Sequence, residues 1–215
     1  MDFLFISIVE YVGILCGLLS LFRFQLRYYI PQIIFASVAC SFLSHALSLK
    51  YQVSYAPIVQ LVVLILFLWL LFQIAFFYSA LMALSYTVAY VTIQGGVIWV
   101  INGFFPEGKD FSITGTTTYE VQITFAVINF LLAWYLQKRY IGYTFVPTSM
   151  RSHLKWNRIN RYLALMVVAT FVTLAATYML YTYTHFQWFI LAIVPLILST
   201  FAIFHLLKRR ERLHD

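Results

Sequence analysis

The chain has 215 residues, of which 63% are hydrophobic and only 10% charged, with a formal net charge of +7. A soluble domain carries roughly 25% charged residues, so a soluble enzyme, a nucleic-acid-binding domain and a disordered chain are excluded. What is left is an all-α, polytopic membrane protein, and roughly 20 residues per crossing leaves no length for a sizeable soluble domain.

Seven apolar segments follow one another, over 3–22, 29–47, 56–73, 77–101, 118–137, 161–182 and 187–207, and are read as one transmembrane bundle. The first is read as a retained helix and not a secretory leader. Asp2 precedes it, Glu10 lies inside it, and Arg23 and Arg27 follow it, whereas a leader carries its positive charge in front. Within it Gly13 and Gly17 form a GxxxG pair, a close-packing surface. Cys16 and, in the second segment, Cys40 fall at different depths, which argues against a disulfide. Pro31 and Pro57 open the second and third segments, where a missing N–H costs little. Ser37, Ser41 and His45 repeat every fourth residue in the second, as do Ser79 with Ala83 and Ser85 with Ala89 in the fourth. These are further close-packing surfaces. The third and fourth segments must be cut, because Ile58 to Val100 is almost continuously apolar and too long for one span. The polar break from Gln73 to Ser79 predicts a tight turn there. Pro195 lies mid-span in the seventh segment and predicts a kink.

The basic residues set the expected orientation. One set of loops holds Arg23, Arg27, Lys138, Arg139, Arg151, Lys155, Arg158, Arg161, Lys208, Arg209, Arg210 and Arg212. The other holds only Lys50 and Lys109, so twelve of the fourteen basic residues fall on one side. The N-terminus is then outside and the C-terminus cytoplasmic, a parity that seven spans satisfy. Asp2, Glu107, Asp110 and Glu120 fall outside. Aromatic residues at span ends, Tyr28, Tyr29, Tyr51, Tyr55, Trp99, Tyr140, Tyr143, Trp156 and Trp188, read as the interfacial belt. The expected localisation is a bacterial cytoplasmic membrane.

Glu10 stands about seven residues into the first span, roughly 10 Å deep at 1.5 Å per residue. A carboxylate there is costly and normally faces the bundle interior. Two readings stay open: a neutral acid bonded between helices, or a ligand or ion site. His45, Gln60, Gln94, Glu120 and Gln122 collect at a similar outward depth. With Glu10 they make a hypothetical outer ligand-binding vestibule, against the plainer reading of one polar contact per helix. Gly95 and Gly96 read either as a hinge or as a loosened helix end. Enzyme signals are thin. No GxSxG, HExxH or Walker-type loop occurs, and Cys40 and His45 point about 140° apart on a helix. No catalytic residue, metal or cofactor is expected.

The largest loop on the basic side, Lys138 to Arg161, carries Lys138, Arg139, Arg151, Lys155, Arg158 and Arg161 and no acid. Trp156, Ile159 and Leu163 share one helical face, so its second half is expected at the interface. Basic residues gain ~1 kcal/mol each beside anionic lipid. These six are the expected lipid- or partner-binding residues.

Two stretches carry a resemblance. One is Phe76-Phe77-Tyr78-Ser79-Ala80-Leu81-Met82-Ala83-Leu84-Ser85-Tyr86, running on to Ile93-Gln94. The other is Arg139-Tyr140-Ile141-Gly142-Tyr143-Thr144-Phe145-Val146-Pro147. With the order of spans, the chain resembles the membrane sensor region of accessory-gene-regulator-type histidine kinases, polytopic receptors that often read secreted peptides. The end, Lys208-Arg209-Arg210-Glu211-Arg212-Leu213-His214-Asp215, is similar to the start of a signalling helix. No phosphoacceptor region or nucleotide-binding motif accompanies it. The resemblance therefore implies a sensor-like module without its own kinase.

The expected function is an integral membrane sensor that binds a small or peptide ligand from outside and signals to a cytoplasmic partner. Expected partners are the anionic bilayer, a cytoplasmic signalling protein or a second copy, and not nucleic acid. The alternatives are a transporter or transporter subunit with Glu10 as its ion or proton site, and a purely structural assembly partner. Transport favours broken helices and repeats at the midplane, and only Pro195 and Gly95–Gly96 offer such breaks.

Overall fold

The structure, a computed structural model, describes residues 2–47, 56–104, 116–147, 158–183 and 186–212. Among them there is no strand. The helices are α1 (Asp2–Leu21), α2 (Ile30–His45), α3 (Ala56–Leu70), α4 (Phe76–Phe104), α5 (Thr116–Arg139), α6 (Arg158–Tyr183) and α7 (Phe186–Glu211), with a short 3-10 turn at Leu26–Tyr28. Each lies over one of the seven apolar segments. The break between α3 and α4 falls where the polar residues demand it, with Gln73 at φ 55°. Among the described residues three helices are long and apolar enough to cross a membrane, over Leu4–Leu21, Phe76–Gln94 and Arg158–Thr177. Ile30–His45 and Ala56–Leu70 are apolar but shorter.

The chain divides into two compact units, Met1–Tyr51 with Ile93–Gly142, and Gln52–Thr92 with Tyr143–Asp215. In the first, α1 packs on α5 and on α2. The buried face of α5 is Phe125, Ala126, Asn129, Ala133 and Leu136, a helical period that turns one stripe toward α1. Gly13 lets the two helices close. A Cβ there would stand 3.2 Å from the Ala126 carbonyl oxygen and 3.3 Å from Asn129 Cβ. Gly13 of the GxxxG pair is thus used inside the chain. Ser37 and Ser41 are buried on α2, and Ser41 Oγ donates to the Leu4 carbonyl at 3.1 Å, tying α2 to α1. Cys16 and Cys40 are free thiols.

Both α1 and α5 end in the same way. Phe24 N–H donates to the Leu19 carbonyl at 3.0 Å and Arg23 N–H to Ser20 at 3.1 Å. Ile141 N–H donates to Leu136 at 3.1 Å and Tyr140 N–H to Gln137 at 3.3 Å. These are Schellman ends with left-handed residues at Arg23 (φ 55°) and Tyr140 (φ 53°). Glycine is the usual occupant, because a Cβ is disfavoured there. Arg23 uses its position: its guanidinium donates to the Tyr140 carbonyl, joining the two helix ends.

In the second unit α6 packs on α7. Each has 26 residues, and only two residues connect them, so the pair is antiparallel. Asn160, Leu163, Thr170 and Thr177 of α6 and Leu196, Ile203 and Leu207 of α7 are buried, at steps of three, four and seven. The unit's core continues through Leu61, Leu64 and Leu68 of α3 and Leu81, Met82 and Leu84 of α4. Ser79 Oγ donates to the Ile74 carbonyl at 3.1 Å and stitches the turn into α4. The Thr92 and Thr200 hydroxyls stand 3.2 Å apart, between α4 and α7. Pro195 lies inside α7, where it leaves the carbonyl four residues back without its ladder donor.

Candidate functional site

The polar residues expected to line an outer vestibule divide between the units. Glu10 on α1 and His45 at the end of α2 are half-buried in the first unit. The two helices meet here, because Tyr11 of α1 shares a side-chain hydrogen bond with Ser44 of α2. Gln94 on α4 and Gln122 on α5 are half-buried in the same unit, and Gln122 Oε1 is buried without a hydrogen-bond partner. Glu120 lies on α5, but its side chain is outside the described residues. Gln60 is half-buried on α3 and belongs to the other unit. The structure therefore brings Tyr11 of α1 to Ser44 of α2. Tyr11 is an addition that only the helix pairing brings out. Among the described residues no group of His, Cys, Asp and Glu could hold a metal ion.

Of the six basic residues singled out, Lys138 and Arg139 are exposed on the last turn of α5. Lys138 Nζ sits 4.6 Å from the Trp134 ring centroid, a cation–π contact worth roughly 0.5–1 kcal/mol when exposed. Arg158 and Arg161 are exposed on the first turn of α6. Arg151 and Lys155 lie outside the described residues, as does Trp156.

The best-defined polar geometry is elsewhere, in the loop after α5. Thr144 N–H donates to both carboxylate oxygens of Glu211 at 2.9 Å. Thr144 Oγ1 donates to Oε1 at 2.6 Å, and Phe145 N–H to Oε2 at 3.3 Å. Consecutive backbone N–H groups turned to one anion form a nest, and bonds to an ionised acceptor are roughly twice as strong as neutral ones. Apolar packing holds the loop in place. Phe145 and Val146 are buried. The Phe145 ring is 6.3 Å from that of Tyr78 and 6.0 Å from that of Tyr143. Tyr143 in turn lies 6.4 Å from Phe204 of α7, and the Arg210 guanidinium is 5.9 Å from the Phe145 centroid. Burial pushes the Tyr143 phenol above its ordinary value, and the nearby Glu211 carboxylate adds to the shift.

This clasp was not legible in the sequence, since its partners lie 67 residues apart. One signal was present: Glu211 is a lone acid among four basic residues at a helix C-terminus, where the macrodipole disfavours negative charge. An acid in that place needs a partner that supplies donors.

Among the described residues the fold is all-helical, with three helices long and apolar enough to cross a membrane. A comparison with family models, with curated proteins and with solved structures finds no match to this chain.

Proposed function

We propose that the chain is a seven-span membrane sensor, with its N-terminus outside and the end of α7 in the cytoplasm. The observation that carries this reading is the clasp on Glu211. The segment from which a signalling helix would leave is held by an identifiable loop, and that loop lies in one of the two stretches that carry the resemblance to peptide-sensing receptors. A contact of four hydrogen bonds to the one Glu211 carboxylate can be made or broken as a unit, which suits a two-state output. The membrane setting is supported by the side chains that point outward. Leu165, Val168, Val172 and Met179 of α6 and Leu198 and Phe201 of α7 are all exposed, more apolar surface than water tolerates on a monomer. The twelve-to-two division of basic residues supports the orientation. The cluster at Glu10, Tyr11 and Ser44 supplies polar groups on the outer half of α1 and α2 for a ligand.

The test uses the full chain in liposomes, with Cys16 and Cys40 replaced by serine and spin labels at positions 141 and 208, both exposed. Spent growth medium of the host organism is expected to change the distance distribution between the labels. An unchanged distribution, together with a proton flux that Glu10→Gln abolishes, would establish transport instead.

A further inference from the structure

The two ends of the α6–α7 hairpin differ sharply in charge. Because the helices are antiparallel and of equal length, the start of α6 lies beside the end of α7. Arg158, Arg161, Lys208, Arg209 and Arg212 are therefore gathered at one end of the pair, and all five are exposed. Among the described residues Glu211 is the one carboxylate side chain in this unit, and its oxygens are taken up by the nest of Thr144 and Phe145. In sequence Glu211 stands between Arg210 and Arg212 and would be their natural counter-ion. In the structure backbone and hydroxyl donors satisfy it, and the cations are left to an external anion.

From this geometry we infer that the Arg158, Arg161, Lys208, Arg209 and Arg212 end of the α6–α7 hairpin is a binding site for the phosphate of an anionic phospholipid headgroup, kept vacant of its internal competitor by the Thr144–Phe145 nest. The inference rests on the membrane reading above and names the lipid partner and its regulation. Three features select a lipid. The charge is complementary to a phosphate. Tyr162, exposed beside Arg161, is the residue type that anchors at the headgroup level. The apolar face of α6 begins within one turn of the arginines at Leu165, also exposed, so one molecule can meet headgroup and acyl contacts together. Regulation follows from the clasp. If Glu211 leaves the nest, it returns to the arginines and competes with the headgroup, so lipid binding and the closed clasp support each other, as linked equilibria must.

The experiment is native mass spectrometry of the full chain titrated with phosphatidylglycerol and, separately, with phosphatidylcholine. The wild type is expected to hold one phosphatidylglycerol in preference to phosphatidylcholine. Arg161→Gln and Arg209→Gln are each expected to weaken that binding about fivefold, the factor given by ~1 kcal/mol per surface cation. Thr144→Val, which removes the shortest bond to Glu211, should weaken it too. Thr144→Ser should not, and adding Glu211→Gln to Thr144→Val should restore it. Equal retention of the two lipids, or no loss in the arginine variants, overturns the site. A Thr144→Val effect that Glu211→Gln fails to rescue overturns the role of the nest. Displacement of the lipid by millimolar inorganic phosphate would make this a free-anion site and also overturns the proposal. Failure of the chain to insert into phosphatidylcholine liposomes would refute the membrane reading itself, whereas insertion without lipid preference refutes only the site.

Discussion

Gly142 is the position where one missing atom decides the local structure. Its φ is +152°, and a Cβ there would come within 2.5 Å of the Leu21 carbonyl oxygen and 3.1 Å of Arg23 Cγ. The first neighbour is backbone and cannot turn aside. At Gly13 the nearest approach is 3.2 Å, which a shift of a few tenths of an ångström between α1 and α5 relieves. Gly142→Ala is therefore expected to cost about 2–4 kcal/mol, combining a strained dihedral with a clash. Gly13→Ala should cost about 1 kcal/mol. Thermal unfolding of both variants in the same detergent checks the order, and a Gly13 variant less stable than the Gly142 variant would contradict it. Arg23 and Tyr140 show the opposite solution, since each accepts a left-handed backbone and is joined to the other by a hydrogen bond.

At the scale of elements, α7 combines a weakened middle with a held end. Pro195 weakens its ladder in the middle, and the loop from Tyr143 to Val146 holds its end. The phenol of Tyr143 gives that hold a pH dependence. Its folded value lies above the ordinary 10.0 because of burial and of Glu211. A group with a raised folded value keeps its proton longer when folded, so its contribution is whole below pH about 10 and is lost as pH rises through the folded value. Stability is expected to fall as pH rises above about 10, and Tyr143→Phe should flatten that part of the profile. Unfolding midpoints of the two proteins across this range provide the check. An identical slope in both would show that the titration belongs to other groups.

For the molecule as a whole, the decisive property is which side of a bilayer each loop faces. The positive-inside asymmetry predicts that a cysteine at position 109 reacts with an impermeant reagent from outside, and that one at position 151 reacts only after permeabilisation. The opposite pattern would reverse the orientation and move the clasp and the basic end of the α6–α7 hairpin to the outer face. The helices of 15 and 16 residues, α3 and α2, are about 23 Å long at 1.5 Å per residue. They fall short of a hydrocarbon core of roughly 30 Å, so local thinning or flanking residues must make up the difference if they span.

The sequence by itself determined the number and places of the helices. An apolar run must break where Gln73 appears, a proline opens a helix cheaply at Pro31 and Pro57, and a segment as apolar as Leu4–Leu21 has one stable form when its backbone cannot bond to water. It also showed the small residues that let helices touch, and Gly13, Ser37, Ser41, Ser79 and Ser85 are all buried. Those signals are local, carried by residue type and a period of 3.6. Which helix meets which, and which polar group finds which partner, were decided by tertiary structure. Gln60 is expected from the sequence at the depth of Glu10, yet it belongs to the other unit. Tyr11 finds Ser44 because α1 packs on α2. Thr144 finds Glu211 because Phe145 is buried against Tyr78 and Arg210. The physical reason is that in an apolar chain nearly every helix face can pack, so hydropathy marks where helices lie without ranking their pairings. The few hydrogen bonds that rank them join residues far apart, and spacing along the chain carries no trace of them.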